Sequence, residues 1–314
     1  MPQSSVPDMK LLTRPFAKTW EHVQGPGGNT SVKNEGTMLI KASGFTFKDV
    51  TNGTGLTWIN PNPIIEELAE NYNNNSLESP TAQVQKSIPE GLRPSMEFEF
   101  HAALDTYVLH THSIYVNVIT CSQECSSLLA AIFPNTDYIL VPYIMPGRPL
   151  ASYIYKTVKN GNKAKIYFLK NHGIIVHGET IAEVISTYHL IQERIINFLN
   201  LNTIFMEDVE NGIHKMPMEN VSNHILVPDQ SIFFRNKTSD TNRSADIFFD
   251  LNAEKIQING SPKFIETAKD LLKMVYYITN NHQRLSLTSE FISERELQTL
   301  HKLSSEKYRV SILK

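Results

Sequence analysis

The chain has 314 residues, of which 41% are hydrophobic and 19% charged, with a formal net charge of −3 from 29 basic and 32 acidic side chains. That composition supports a packed core, in one large domain or one domain plus a small one, and excludes wholesale disorder. The near-balanced charge, with no basic run, argues against a dedicated nucleic-acid binder.

The first residues, MPQSSVPDMKLLTRPF, lack a long apolar segment behind a positive start, so no signal peptide is expected. No window approaches eighteen uninterrupted apolar residues, so no membrane span is expected and a cytoplasmic protein is. Cys121 and Cys125 are the two cysteines. Their C-x3-C spacing is not a redox motif, and buried reduced thiols are expected.

In chain order, TMLIKAS (37–43) and GLTWI (55–59) read as short strands, and PNPIIEELAE (61–70) as a helix with an early proline. The asparagine cluster NYNNNSLESP (71–80) reads as a loop. SMEFEFHAAL (95–104) reads as a helix with Ser95 as N-cap. TYVLHTH reads as the following strand, and IYVNVIT is open between helix and strand. YILVPYI (138–144) reads as a strand, PLASYIYKTV (149–158) as a helix, and AKIYFLK (164–170) and IIVHG (174–178) as strands. Thr180 caps a long helix whose apolar residues keep helical spacing. Beyond about residue 205, HILVPDQSIFF (224–234), ADIFFDL (245–251) and KIQING (255–260) read as strands, and 263–279 and 293–308 as helices. The expectation is a main α/β domain over 1–205 and a small α+β extension over 206–314. No G-x-G-x-x-G follows a strand, so a dinucleotide-binding domain is not supported.

Five stretches have the composition of a site. GPGGNTSVK (25–33) is a glycine-rich polar loop suited to exposing N–H groups to an anion, without Walker spacing, and taken alone it is also accounted for as a plain turn. IKASGF (40–45) ends a strand at Ser43-Gly44, and its alternative is a plain turn. In RPSMEFEFH (93–101), Glu97 and Glu99 sit in an apolar run, where desolvation raises a carboxyl pKa toward acid/base work. An acidic helix start accounts for them equally, and His101 is placed to bond Glu97 at i+4. On the strand VLHTH, His110 and His112 share one side, roughly 7 Å apart at the backbone from two rises, close enough to converge on one ion, though an H-x-H on a strand also occurs where nothing binds. In KNHGIIVHG (170–178), His172 lies in a turn and can add a third imidazole; three histidines with vacant positions suit catalytic zinc. His177 reads as structural or exposed.

Taken in order, GGNTSVK, IKASG, PSMEFEFH, HTHS and NHGIIVHG resemble the class II aldolase/adducin family over at least residues 20–205. VPYIMPGRPLA (141–151), VPDQSIFF and the terminal SSEKYR look like the aldolase half of the bifunctional rhamnulose-phosphate aldolase/dehydrogenases. The resemblance implies a three-layer sandwich, with a central, mostly antiparallel sheet flanked by helices. It implies a divalent metal, usually zinc, held by positions matching His110, His112 and His172, with Glu97 as acid/base. It also implies substrate phosphate held by positions matching Gly28, Asn29, Ser43, Gly44 and Ser95. Sites of the family commonly lie near subunit interfaces of a homotetramer.

The activity so implied is zinc-dependent cleavage of a ketose 1-phosphate, through an enediolate, to dihydroxyacetone phosphate and an aldehyde. The alternatives are a sugar-phosphate 4-epimerase or dehydratase, or a non-enzymatic adducin-like module. Epimerases of the family tend to carry Asp where Glu97 stands, and adducin-type heads lose the metal histidines. One departure concerns the phosphate: Met96 replaces a serine of the fuculose-phosphate enzymes, and either Lys33 or Lys41 restores the interaction by charge or the substrate carries no phosphate. For the tyrosine that protonates the leaving aldehyde in the family, Tyr138 and Tyr143 are candidates.

Overall fold

A computed structural model describes residues 5–73, 77, 92–201, 224–234, 246–250 and 255–303. Its helices are α1 Ser5–Thr13, α2 Phe47–Thr51, α3 Asn62–Asn71, α4 Phe98–Ala103, α5 Ile114–Thr120, α6 Cys125–Ile132, α7 Arg148–Lys159, α8 Ile181–Leu199, α9 Pro228–Phe233, α10 Pro262–Leu285 and α11 Glu294–Leu300. The strands β1 Asn29–Asn34, β2 Thr37–Lys41, β3 Leu56–Ile59, β4 Tyr107–Thr111, β5 Ile139–Val141, β6 Ile166–Leu169 and β7 Gly173–Gly178 form one sheet. Their order is β3-β2-β1-β4-β7-β6-β5, antiparallel except for the parallel edge pair β5–β6. A separate hairpin pairs β8 Asp246–Asp250 with β9 Lys255–Asn259.

Successive strand side chains point to opposite faces, and this sheet buries both. Leu39, Leu109, Phe168, Ile174 and Val176 face one core, covered by α1, α5, α8 and α10. Their neighbours Ile40, Val108, Tyr167, Leu169 and Ile175 face the other, covered by α3, α4 and α7. The result is the expected helix–sheet–helix sandwich. His110 has the parity of Val108 and therefore lies on the α4 side, where its ring meets Phe100 edge-on at 5.7 Å.

Local chemistry sets where the elements stop. Thr180 caps α8 by accepting from Glu183 N, and Asn200 closes it in the left-handed region. Ser113 caps α5 immediately after the His110–His112 strand end, which settles IYVNVIT as a helix. Ser95 does not cap α4. The N-cap is Glu97, without a capping bond; Ser95 stands two residues ahead, its hydroxyl accepting both Glu97 N at 3.4 Å and the Asn29 amide at 2.9 Å.

The segment 224–234 is not a strand. Pro228 opens the short helix α9, and the Gln230 side chain accepts Leu226 N at 2.8 Å just ahead of it. A short apolar run does not separate strand from buried helix, and a proline fits the first turn. Strands at 246–250 and 255–259 and helices at 262–285 and 294–300 follow expectation. The loop expected at 71–80 and the terminal SSEKYR fall largely outside the described residues.

Helix α10 buries Leu271, Leu272, Met274, Val275 and Ile278 in the same cluster as Val116 and Ile119 of α5. Five such side chains contribute on the order of 10 kcal/mol of burial against an extended chain. No described helix is long and apolar enough to cross a membrane.

Candidate metal centre

His110, His112 and His172 converge. Their ring centroids lie 4.9–5.0 Å apart, and the three are nearly or fully buried. Strand β4 and its end supply the first two, and the turn between β6 and β7 supplies the third. Asn117 of α5 ties the two sources together, its amide donating to His112 O at 3.4 Å and to His172 O at 3.3 Å. Asn171 adopts left-handed backbone at φ 54° and donates its side-chain amide to Leu226 O and Glu290 O, at 2.9 and 2.7 Å. The His172 turn is thereby anchored to the C-terminal segments.

The nitrogen chemistry fits a cation. His110 Nδ1 lies 3.0 Å from Ile174 O, so it carries the proton and Nε2 is bare. That Nε2 lies 3.2 Å from His112 Nε2 and 3.3 Å from Glu97 Oε2. Glu97 Oε1 is buried with no hydrogen-bond partner, 3.5 Å from His172 Nε2. Burial pulls His110 down to about 4 and His172 down to about 3, against the attraction of Glu97. Both imidazoles are thus neutral near pH 7, and the His110 lone pair faces the His112 ring and a carboxylate. A bound divalent ion relieves that arrangement, and imidazole nitrogens favour zinc-type metals over magnesium. These three histidines are the metal-capable cluster among the described residues.

Glu97 behaves differently from the sequence expectation. Burial alone pushes its carboxyl up, but His110, His172 and His112, together with the Asn29 amide it accepts, outweigh burial and hold it below its ordinary value. The desolvated acid of this run is Glu99, raised to about 7 by burial; it faces Arg148, 3.5 Å away, and sits on α4 outside the pocket lining.

Gly28, Asn29, Ser43, Gly44 and Ser95 all line one pocket with Glu97, His112 and His172. Gly28 has φ +61°, and a Cβ there would come within 2.7 Å of His110 O, so a side chain at this turn collides with the metal strand. Asn29 Nδ2 donates to Ser95 Oγ and to Glu97 Oε2, both at 2.9 Å. Its other amide atom, Oδ1, bonds His101 Nε2, and His101 Nδ1 lies 2.7 Å from Ser31 Oγ. His101 therefore fixes the Asn29 amide rather than bonding Glu97.

Lys33 does not reach the pocket. It donates to Leu104 O and Asp105 O beyond α4, and burial lowers it to about 7. Lys41 does line the pocket, donating to Pro26 O and Phe45 O at 2.8 and 2.7 Å and so joining the two glycine loops. Tyr138 packs against Phe133 and Phe168 in the opposite core, and neither it nor Tyr143 lines the pocket. His177 is buried at 2.9 Å from Asp105, a structural pair.

Sequence reasoning missed Asn117, Asn171 and Asp229. None has a metal-ligand spacing, and each makes at least one of its contacts across more than fifty residues. A larger cavity of about 890 Å³ lies between α1, α2 and α10. It holds none of the three histidines, whereas His112 and His172 line the smaller pocket.

A seven-stranded, mostly antiparallel sheet between helices, with three imidazoles and a carboxylate at one strand end, defines a class II aldolase-type fold and site. The Class II Aldolase and Adducin N-terminal domain family matches residues 12–195, more than half of the chain, and the chain belongs to that family. The uncharacterized oxidoreductase YuxG of Bacillus subtilis (strain 168) is 28% identical over 173 residues, 49% of this chain and 24% of that protein. The 3-oxo-tetronate 4-phosphate decarboxylase of Escherichia coli (strain K12) is 31% identical over 117 residues, 33% of this chain and 54% of that protein. The chain thus spans about a quarter and about half of these relatives' lengths. Among solved structures, the N-terminal class II aldolase domain of a conserved protein from Thermoplasma acidophilum superposes with a TM-score of 0.53 at 26% identity. That match covers 63% of this chain and 95% of the other.

Proposed function

We propose that this protein is a zinc-dependent aldehyde-lyase that cleaves a ketose 1-phosphate to dihydroxyacetone phosphate and an aldehyde, acting as a cytoplasmic homotetramer. The observation that carries the reading is the buried Glu97 oxygen without a hydrogen-bond partner, facing three converging buried histidines beside a pocket of small and polar residues. A divalent cation held by His110, His112 and His172 supplies Lewis-acid stabilisation of the enediolate charge.

The chain's own residues do the rest. Cleavage breaks the bond between C3 and C4 of the ketose. The C4 hydroxyl gives up its proton as that carbon becomes the aldehyde, and C3 gains one. Glu97, ionised at rest and held by Asn29 at 2.9 Å, takes the C4 hydroxyl proton and delivers it to C3, so the proton released in cleavage is the one that C3 gains. Asn29 bridges this base to Ser95, so the proton-transfer group and the phosphate end share one hinge-free support. Gly28, Ser43, Gly44 and Ser95 bind the phosphate, and Lys41 supplies the positive charge that offsets the loss of a hydroxyl at Met96.

The similarity to a 3-oxo-tetronate 4-phosphate decarboxylase supports a second reading. Loss of CO2 from a 3-oxo acid leaves the same kind of enediolate in the same pocket.

A retro-aldol screen of ketose 1-phosphates on zinc-loaded protein tests the proposal. Released dihydroxyacetone phosphate is expected, and Glu97→Gln should retain zinc yet turn over about 10²–10⁴-fold more slowly. CO2 from a phosphorylated 3-oxo acid, with no dihydroxyacetone phosphate from any ketose, would replace this reading by the second. Light scattering that finds a monomer would remove the tetramer.

A further inference from the structure

We propose that Asp229, on helix α9 beyond the family-matched residues, is a positioning residue for the metal: it accepts the Nδ1 proton of His112 and leaves Nε2 bare for the ion. The inference rests on the metal reading of the three histidines and adds to it a contribution from the C-terminal part of the chain.

The geometry is specific. Asp229 Oδ2 lies 3.3 Å from His112 Nδ1, and both side chains are buried. On the other ring nitrogen, His112 Nε2 faces His110 Nε2 at 3.2 Å. An imidazole whose Nδ1 donates to a carboxylate has a fixed tautomer and a more basic Nε2, and losing such a partner typically weakens metal affinity about 10–100-fold. His110 obtains its tautomer from a backbone carbonyl, Ile174 O. His112 lies just past the end of β4, and a side chain supplies what the strand supplies to His110.

Two further features belong to the same device. Gly27 passes over the pair so closely that a Cβ there would lie 2.9 Å from His112 Nδ1 and 3.0 Å from Asp229 Oδ2. The residue must be glycine for the carboxylate and ring to meet. Helix α9 is also held rigidly against the site. Leu226 O accepts from Asn171, the neighbour of His172, and Ser231 O lies 3.3 Å from His301 Nε2 of the segment after α11. Asp229 and His172 are thus delivered by segments bonded to each other.

The test is zinc affinity of the full chain by chelator competition, with the cobalt-substituted absorption spectrum as a second readout. Asp229→Asn should raise the zinc Kd about tenfold by removing the charge, and Asp229→Ala about 100-fold by removing the acceptor as well. Both should shift the cobalt bands, which a loss of packing alone leaves in place. Gly27→Ala keeps Asp229 and should weaken zinc comparably, which guards against a misfolded Asp229 variant. Wild-type affinity and an unchanged cobalt spectrum in Asp229→Asn and Asp229→Ala would overturn the role of Asp229 while leaving the three-histidine site intact. Absence of zinc and cobalt binding in the wild type would overturn the metal reading itself.

Discussion

Replacing Glu99 by Gln isolates the one carboxyl of the α4 stretch that the fold has desolvated. Glu99 is raised from 4.5 to about 7, first by burial and then by the nearby Glu67, with Arg148 opposing. At about 1.4 kcal/mol per pH unit, the shift corresponds to about 3 kcal/mol. Below pH 4.5 the side chain is neutral in folded and unfolded chains alike, and its contribution is complete. Between 4.5 and 7 the folded chain keeps the proton that the unfolded chain has released, so stability falls as pH rises, and it levels off above about 7. Gln carries no proton to lose and can still accept from Arg148. The variant should exceed wild type by about 1 kcal/mol at pH 5 and by about 3 kcal/mol at pH 8.5. Urea unfolding of both proteins at the two pH values reads this directly. A variant less stable than wild type at pH 8.5, or equally stabilised at both, would show that the Arg148 contact outweighs desolvation.

Asn29→Ala should lower kcat at least tenfold with zinc content unchanged, because it removes the amide that holds Glu97 and Ser95 together; metal analysis beside steady-state kinetics checks it. Lys41→Met should raise KM for a phosphorylated ketose about tenfold or more, with a smaller effect on its phosphate-free analogue, as initial rates on the pair will read. His172→Ala should remove the zinc altogether, leaving about none per chain by elemental analysis where wild type binds one.

Much of this was legible in the sequence, for identifiable reasons. Alternation placed His110 and His112 on one side of β4, and period two is a property of any strand. His172 followed from a turn between two apolar runs. The order of weak motifs brought Gly28, Asn29, Ser43, Gly44 and Ser95 together with Glu97, and the pocket contains all of them. What was not legible depends on the third dimension. Glu97 and Glu99 look alike in an apolar run, yet one faces three imidazoles and the other a guanidinium. Ser95 has the composition of a cap, but it stands two residues ahead of the N-cap, its hydroxyl accepting both Glu97 N and the Asn29 amide. The 224–234 run gave no period to distinguish a strand from a short helix, and the carboxylate within it meets its histidine across more than a hundred residues.

The Asn171 amide bears on how the protein is to be handled. Its two acceptors, Leu226 O and Glu290 O, come from segments that a fragment ending near residue 205 would not contain. Such a fragment would still hold the family-matched residues and all three histidines. It would also have an unanchored His172 turn, and an apolar α5 surface stripped of α10. A silent fragment would therefore say nothing against the chemistry, and substrate screening belongs on the full chain.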